Sequence, residues 1–307
     1  MATNRTALFN RRQPGGVFTV DDIAEHPGAI FFVGSTVTGA EDAVGFGKNP
    51  DAPFATIDYA VGQCTASKGD VIYVLPGHAE TVSGAGGLDL DVAGISIIGL
   101  GNDALRPQIT LGTAATADID IDAANIRLEN VDIVAAFDDI AVAIDVNAAG
   151  FTVRNCRFLE PTADKNFLIS ILGAATNGSP RITVEGCRFE SVDAANTAAI
   201  SLPGTSNGCI IRDCYFQGVF EDSAILSAGA VTRIEVTGNL IQNTDNEADS
   251  CIKIADTSTG IVAYNGVGSA IGGDATTNIN TGGSIVLIEN YSVDTGDRQG
   301  VLDPAAT

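Results

Sequence analysis

The sequence contains no tryptophan, one methionine, two histidines and four lysines, and aromatic residues make up 6% of it. Cations are scarce as well, with 16 Lys plus Arg against 38 Asp plus Glu and a formal charge of −22 over 307 residues. Duplex DNA and anionic membranes both need clustered cations, so neither is expected as a partner. The longest apolar runs, such as AIFFV (29–33), are far too short to cross a bilayer. The opening ATNRTALFNRRQ holds arginines and no uninterrupted apolar stretch, so a secretory signal is not expected. On that footing the six cysteines read as reduced thiols rather than as a disulfide framework. What is abundant is glycine (35 residues), with Ala, Ile, Val, Thr, Asn and Asp. That mixture favours many short strands joined by tight turns.

An eight-residue phrase recurs through the chain: IRLENVDI (126–133), FTVRNCRF (151–158), ITVEGCRF (182–189), CIIRDCYF (209–216), IEVTGNLI (234–241), IVAYNGVG (261–268) and VLIENYSV (286–293), with a degraded copy from Ile95. Its fifth residue is Gly99, Asn130, Asn155, Gly186, Asp213, Gly238, Asn265 and Asn290, at intervals of 25 to 31 residues. The first and third positions are apolar and the second and fourth mostly polar, which is strand alternation with one face buried. Asn, Gly and Asp tolerate left-handed backbone, so the chain is expected to bend at position five. A further apolar pair precedes most phrases (Leu88/Leu90, Ile119/Ile121, Ile144/Val146, Ile169/Ile171), giving two or three short strands per coil.

Coils of this kind stack as parallel strands about 4.8 Å apart. From about Gly69 to Val293 the chain resembles the pectin-lyase-like superfamily of right-handed parallel β-helices. The resemblance implies an all-β solenoid of eight to nine rungs. PFATIDYAVGQC (53–64) reads as the amphipathic capping helix and GDVIYVLPGHAETV (69–82) as the first rung. The expected organisation is an arm and lead-in over 1–52, the β-helix with its cap over 53–293, and a tail over 294–307.

The repeat turns positions into columns. Position six brings Val131, Cys156, Cys187 and Cys214 together; a single file of thiols without histidine cannot enclose a metal, so it reads as small buried side chains. Position eight stacks Ile133, Phe158, Phe189, Phe216 and Ile241. Position four alternates Glu129, Arg154, Glu185 and Arg212, which penalises a slipped register. The asparagines at position five are assigned to the turns.

The strongest chemical candidate is an acidic grid. LDLDV (88–92), IDIDA (119–123) and IDVNA (144–148) place Asp89–Asp120–Asp145 and Asp91–Asp122–Asn147 in two outward columns. Such a grid could bind Ca²⁺, could perform glycoside hydrolysis with paired carboxylates, or could simply be a solvated acidic face. Ca²⁺ or another hard cation is thus the candidate ion, and no other cofactor is expected. Lyases of the superfamily pair Ca²⁺-binding acids with a basic residue on the same face. Here the sheet is expected to continue through Ser170, Ser201, Leu226 and Lys253, which leaves Lys253 several rungs away. His78 follows Pro76-Gly77 and reads as a turn residue. Without Trp there is also no ready aromatic platform for a sugar.

Two surfaces suggest partners. Arg5, Arg11 and Arg12 precede the first acid, Asp21, and make a basic arm that could anchor on an acidic neighbour. Ile210, Val262 and Leu287 at position two, with Tyr264 at position four, are expected to form an outward apolar surface that oligomerises. The chain also resembles small β-helix proteins of phage virions, commonly trimers. That resemblance implies a non-enzymatic capsid decoration protein, a homotrimer held to the major capsid protein by its arm. The rival expectations are a polysaccharide lyase or glycosidase on the acidic face and a carbohydrate-binding tail fibre or spike.

Overall fold

The computed structural model describes residues 28–175, 180–245, 250–269, 278–282 and 284–292 in full, and the backbone of 9–11, 18–20 and 300–301. It is a parallel β-solenoid of about eight turns, built from three long sheets. Sheet 1 has ten strands: Ile30–Val33, Val71–Val74, Ser96–Gly99, Arg127–Glu129, Thr152–Arg154, Thr183–Glu185, Ile210–Arg212, Ile234–Thr237, Gly260–Ala263 and Ile285–Ile288. Sheet 2 begins at Ala79–Ser83 and continues through Arg157–Leu159 and Tyr215–Gly218. Its far edge is Gly300–Val301, which pairs antiparallel with Tyr291–Ser292. Sheet 3 has eight strands, from Leu88–Asp89 to Ile279–Thr281. The lead-in already contributes a strand, since Ile30–Val33 pairs in parallel with Val71–Val74.

Alternation decides what lies inside. Leu128, Val153, Val184, Ile211 and Val236 align rung on rung at position three, all buried. Phe158, Phe189 and Phe216 stack at position eight with centroids 4.6 and 4.7 Å apart and planes within 10°. The turn at position five is left-handed at Asn130, Asn155, Gly186, Asp213 and Gly238, as residues without a steric objection to positive φ allow. One helix, Ile57–Val61, covers the amino-terminal end, burying Ile57, Ala60 and Val61. The Thr56 hydroxyl caps it by accepting from the Tyr59 N–H, and the Glu80 carboxylate accepts from the Ile57 N–H.

The structure corrects the register of the last two coils by one residue. Gly260 and Ile285, not Ile261 and Val286, occupy position one, since Val262 pairs with Val236 and Leu287 with Val262. Tyr264 and Glu289 take the left-handed turn with φ of 59° and 43°, and the following asparagines enter the core. Asn239, Asn265 and Asn290 form one buried ladder. The Asn265 and Asn290 carbonyl oxygens accept from the N–H groups of Asn239 and Asn265, while each of the three amides donates to a carbonyl of the preceding rung: Ile211, Val236 and Val262. These bonds offset the roughly 1–2 kcal/mol that a side chain loses in the left-handed region. The expected single asparagine column is therefore two, an exposed turn column and an internal ladder. The ladder continues the cysteine file, whose thiols point at the matching carbonyls of Leu128, Val153 and Val184.

Candidate functional site

The acidic face lies on sheet 3, where the strands run Leu88–Asp89, Ile119–Ile121 and Ile144–Val146. Asp89 pairs with Asp120 and Asp120 with Asp145, so the first column stands as expected. In the second, the Asn147 amide donates to Asp122 at 3.1 Å. Beyond Asp145 the column continues with Leu172 rather than Ser170, because Ile171, not Ile169, takes the inward place of Ile144. Ser170 is buried. Ser201, Leu226 and Lys253 then follow in line.

Two acids join the face that the sequence columns left out. Asp118 precedes Asp120 by two residues and so shares its side of the strand; its carboxylate accepts the Gly86 N–H at 2.6 Å. Asp58, on the capping helix, adds its charge beside Asp89. The alternation in ADIDID (117–122) was the signal for Asp118; nothing local announces Asp58.

Carboxylates crowded without cations resist ionisation. Burial first, then the charges of Asp118, Asp145, Asp122 and Asp89, push the Asp120 carboxyl up to about 6. Asp89 is raised by burial and by Asp91, Asp122 and Asp58, and one of its oxygens is enclosed with no hydrogen-bond partner. Asp145 is raised by burial and Asp118 against the opposing bond from Asn147. Asp118 is raised by burial, opposed by the Gly86 N–H.

The chemistry available to this face is that of a flat array. Among the described residues no group of three or more His, Cys, Asp or Glu side chains converges to hold a metal ion. Any Ca²⁺ would sit between neighbours in adjacent columns, such as Asp122 with Asn147, rather than in an enclosing set. Lys253 is four rungs beyond Asp145, about 19 Å away along the sheet. Arg127 and Arg154 lie on sheet 1, paired with Glu129 and Glu185. His78 is buried, with Nδ1 accepting the Ser35 N–H at 3.0 Å, so its Nε2–H donates to Glu80 at 3.1 Å. It fastens the lead-in to the first rung and faces no cleft.

The two proposed docking surfaces fare differently. Arg5 and Arg12 lie outside the described residues; Arg11 ends the strand Phe9–Arg11, which pairs antiparallel with Phe18–Val20, and only its backbone is described. Of the apolar surface, Ile210 is half-buried at position two and Tyr264 is 55% exposed at the turn. Val262 is fully buried and Leu287 packs against the core, because the one-residue shift turns both inward. That surface therefore does not exist in the form that suggested a homotrimer.

A buried polar site was missed. Glu160 is 7% exposed at the corner between sheets 2 and 3. It accepts from the N–H groups of Phe167 and Val192 and from the Asn196 amide, at 2.7 to 3.1 Å. Asn166 extends the network by donating to Asn196. Burial outweighs these donors and pushes the Glu160 carboxyl up to about 7.

No family and no curated protein matches the chain. Among solved structures it is similar to Geobacillus virus E2 ORF18, at 10% identity and a TM-score of 0.37, over 88% of this chain and 63% of that one. The chain thus spans less than two thirds of that protein's length.

Proposed function

We propose that the protein is a non-enzymatic structural element of a virion, a rigid solenoid that decorates a capsid and is anchored through its basic amino-terminal arm. The observation that carries this reading is the unbroken register of sheet 1 over ten strands. The arginines of its outer face are matched to glutamates of the same face, and among the described residues no group of three or more His, Cys, Asp or Glu side chains converges to hold a metal ion. A body of this kind resists deformation and offers its surfaces, rather than a cleft, to other molecules. No helix among the described residues is long and apolar enough to cross a membrane.

The test is co-sedimentation. The full chain, mixed with emptied particles of the virus that encodes it, should band with the shells, and deletion of residues 1–16 should release it. Protein that stays at the top of the gradient in both cases overturns the proposal.

One observation favours a second reading. Asp120 keeps its proton to about pH 6 beside Asp89 and Asp145 at one-rung spacing, which suits a general acid with a neighbouring carboxylate in a glycosidase. Turnover of anionic or neutral polysaccharides, with and without Ca²⁺, and its loss in Asp120→Asn would establish that reading. Glycan binding without turnover would identify a carbohydrate-binding fibre instead.

A further inference from the structure

We infer that the outer face of sheet 1 is a two-fold interface, on which a second copy of this chain packs with its solenoid axis reversed. The inference concerns assembly and stands apart from the virion role. It comes from the position-four column, which runs without a slip through all ten strands. From the amino-terminal end it reads Phe32, Tyr73, Ile98, then Glu129, Arg154, Glu185, Arg212, then Thr237, Ala263, Ile288. The charged centre alternates in sign and the two ends are uncharged.

A two-fold axis lying in the interface along the strand direction reverses the order of rungs and keeps position four opposite position four. The first strand then meets the tenth and the fourth meets the seventh. Glu129 faces the second copy's Arg212, and Arg154 faces its Glu185. Phe32 and Tyr73, stacked at 6.0 Å, lie across from the end that carries Ile288. Next to Ile288, Val286 is 56% exposed, a large apolar side chain left in water. A parallel pair, by contrast, sets Glu129 on Glu129 and Arg154 on Arg154. Like charges across an interface exclude wrong arrangements, and a self-complementary patch is what a closed two-fold dimer requires.

Within one chain Glu185 already holds Arg154 at 2.9 Å and Arg212 at 3.2 Å. The side chains are thus arranged before association, and less ordering is needed to bind. Ten strands of about four residues give a face of about 43 by 13 Å, or about 550 Å² of flat area per copy. Ile30, Val71 and Ala263 on this face are already buried within the chain, so two such faces reach only about 1,000 Å², the size of a weak, transient complex.

The experiment is sedimentation velocity on the full chain. At about 100 µM the protein should sediment near twice its 31.4 kDa and dissociate on dilution. Val286→Arg should weaken the dimer at least about tenfold with an unchanged circular dichroism spectrum. Arg154→Glu and Glu185→Arg should each weaken it alone, and their equimolar mixture should recover it, since the mixed pair restores both charge contacts. Spin labels at Thr152→Cys and Thr237→Cys, in a Cys64→Ser background, report orientation. The reversed dimer places the Thr152 labels about 11 Å apart and the Thr237 labels about 26 Å apart, whereas a parallel one gives about 17 Å for Thr152 and about 10 Å for Thr237. A monomer at all concentrations, a threefold particle, a Thr237 distance shorter than the Thr152 distance, or a mixture that fails to recover overturns the inference. So does a dimer that forms only after residues 1–27 are removed, because those residues would then cover the face.

Discussion

Glu160 makes the folded state sensitive to pH in a direction that can be worked out. Its carboxyl titrates near 4.5 in an unfolded chain and about 7 in the solenoid, where burial disfavours the charge. Below pH 4.5 both states hold the proton and stability is at its full value. Between pH 4.5 and 7 the unfolded chain releases the proton while the folded one keeps it, so stability falls as pH rises. The loss amounts to about 3 kcal/mol and levels off above pH 7. Asp120, Asp89, Asp118 and Asp145 are raised as well and tilt the curve the same way, so the wild-type profile alone does not isolate Glu160. The comparison with Glu160→Gln does. Glutamine keeps the volume and removes the titration, but its NH₂ must face one of the N–H groups of Phe167 or Val192, at a cost of about 1–3 kcal/mol. Urea midpoints from pH 4 to 8 should therefore show the variant less stable than wild type at pH 4, with the gap narrowing as pH rises. A gap that widens with pH would mean that the donors around Glu160 outweigh burial and hold it ionised, and the reasoning would be refuted.

Three further substitutions probe the columns. Phe189→Ala removes the middle ring of the buried stack and should cost about 3–5 kcal/mol in urea denaturation, and Phe189→Leu about 1–2 kcal/mol; a Phe189→Leu variant as stable as wild type would deny the stack any role beyond volume. Asn265→Ala leaves the Asn239 N–H unpaired inside the wall and removes the second donor to the Val236 carbonyl, so it should cost about 1–3 kcal/mol. The loss should show first as faster amide exchange between residues 234 and 269. Asp120→Asn relieves repulsion on the acidic face. It should raise thermal stability by about 1 kcal/mol at pH 8, after allowance for solvent screening, and by nothing at pH 4.

The solenoid was legible because a side-chain period of two and a turn residue every coil are both written in the chain. Columns such as Phe158–Phe189–Phe216 and Glu129–Arg154–Glu185–Arg212 follow from counting alone. Where counting failed, it had weighed one preference in isolation. Asn265 and Asn290 look like turn residues because asparagine tolerates left-handed backbone, yet Tyr264 and Glu289 take that conformation. What decides is the ladder of three amides inside the wall, a property of stacked rungs that no single coil contains. The error was one residue, and one residue turned Val262 from surface to core. Glu160 hid for the opposite reason. Its inward place follows from Cys156, Phe158 and Glu160 alternating along the strand, but a charged residue before Pro161 reads as surface until its donors from later rungs are in place.

The distribution of charge pairing bears on what each face does. Arg106, Arg127, Arg154, Arg157, Arg188 and Arg212 each have an acidic partner on sheets 1 and 2 or at the corner between them. Among the described residues the acids of sheet 3 have no such partner, and their raised carboxyls record it. The excess of acid over base is therefore not spread evenly: sheets 1 and 2 are locally balanced and sheet 3 carries uncompensated charge. A balanced, flat face can be desolvated against its own copy at modest cost, whereas burying sheet 3 against another acidic surface would add repulsion to desolvation. On the two-fold pairing inferred above, sheet 1 is the face expected to meet protein and sheet 3 the face expected to stay in water or meet cations. Raising ionic strength screens both the like charges of sheet 3 and the opposite charges that pair copies through sheet 1, so it should stabilise the fold while weakening the dimer. Equilibrium sedimentation and melting curves over the same salt series would follow the two, and a melting temperature that falls as salt is added would place the uncompensated charge elsewhere.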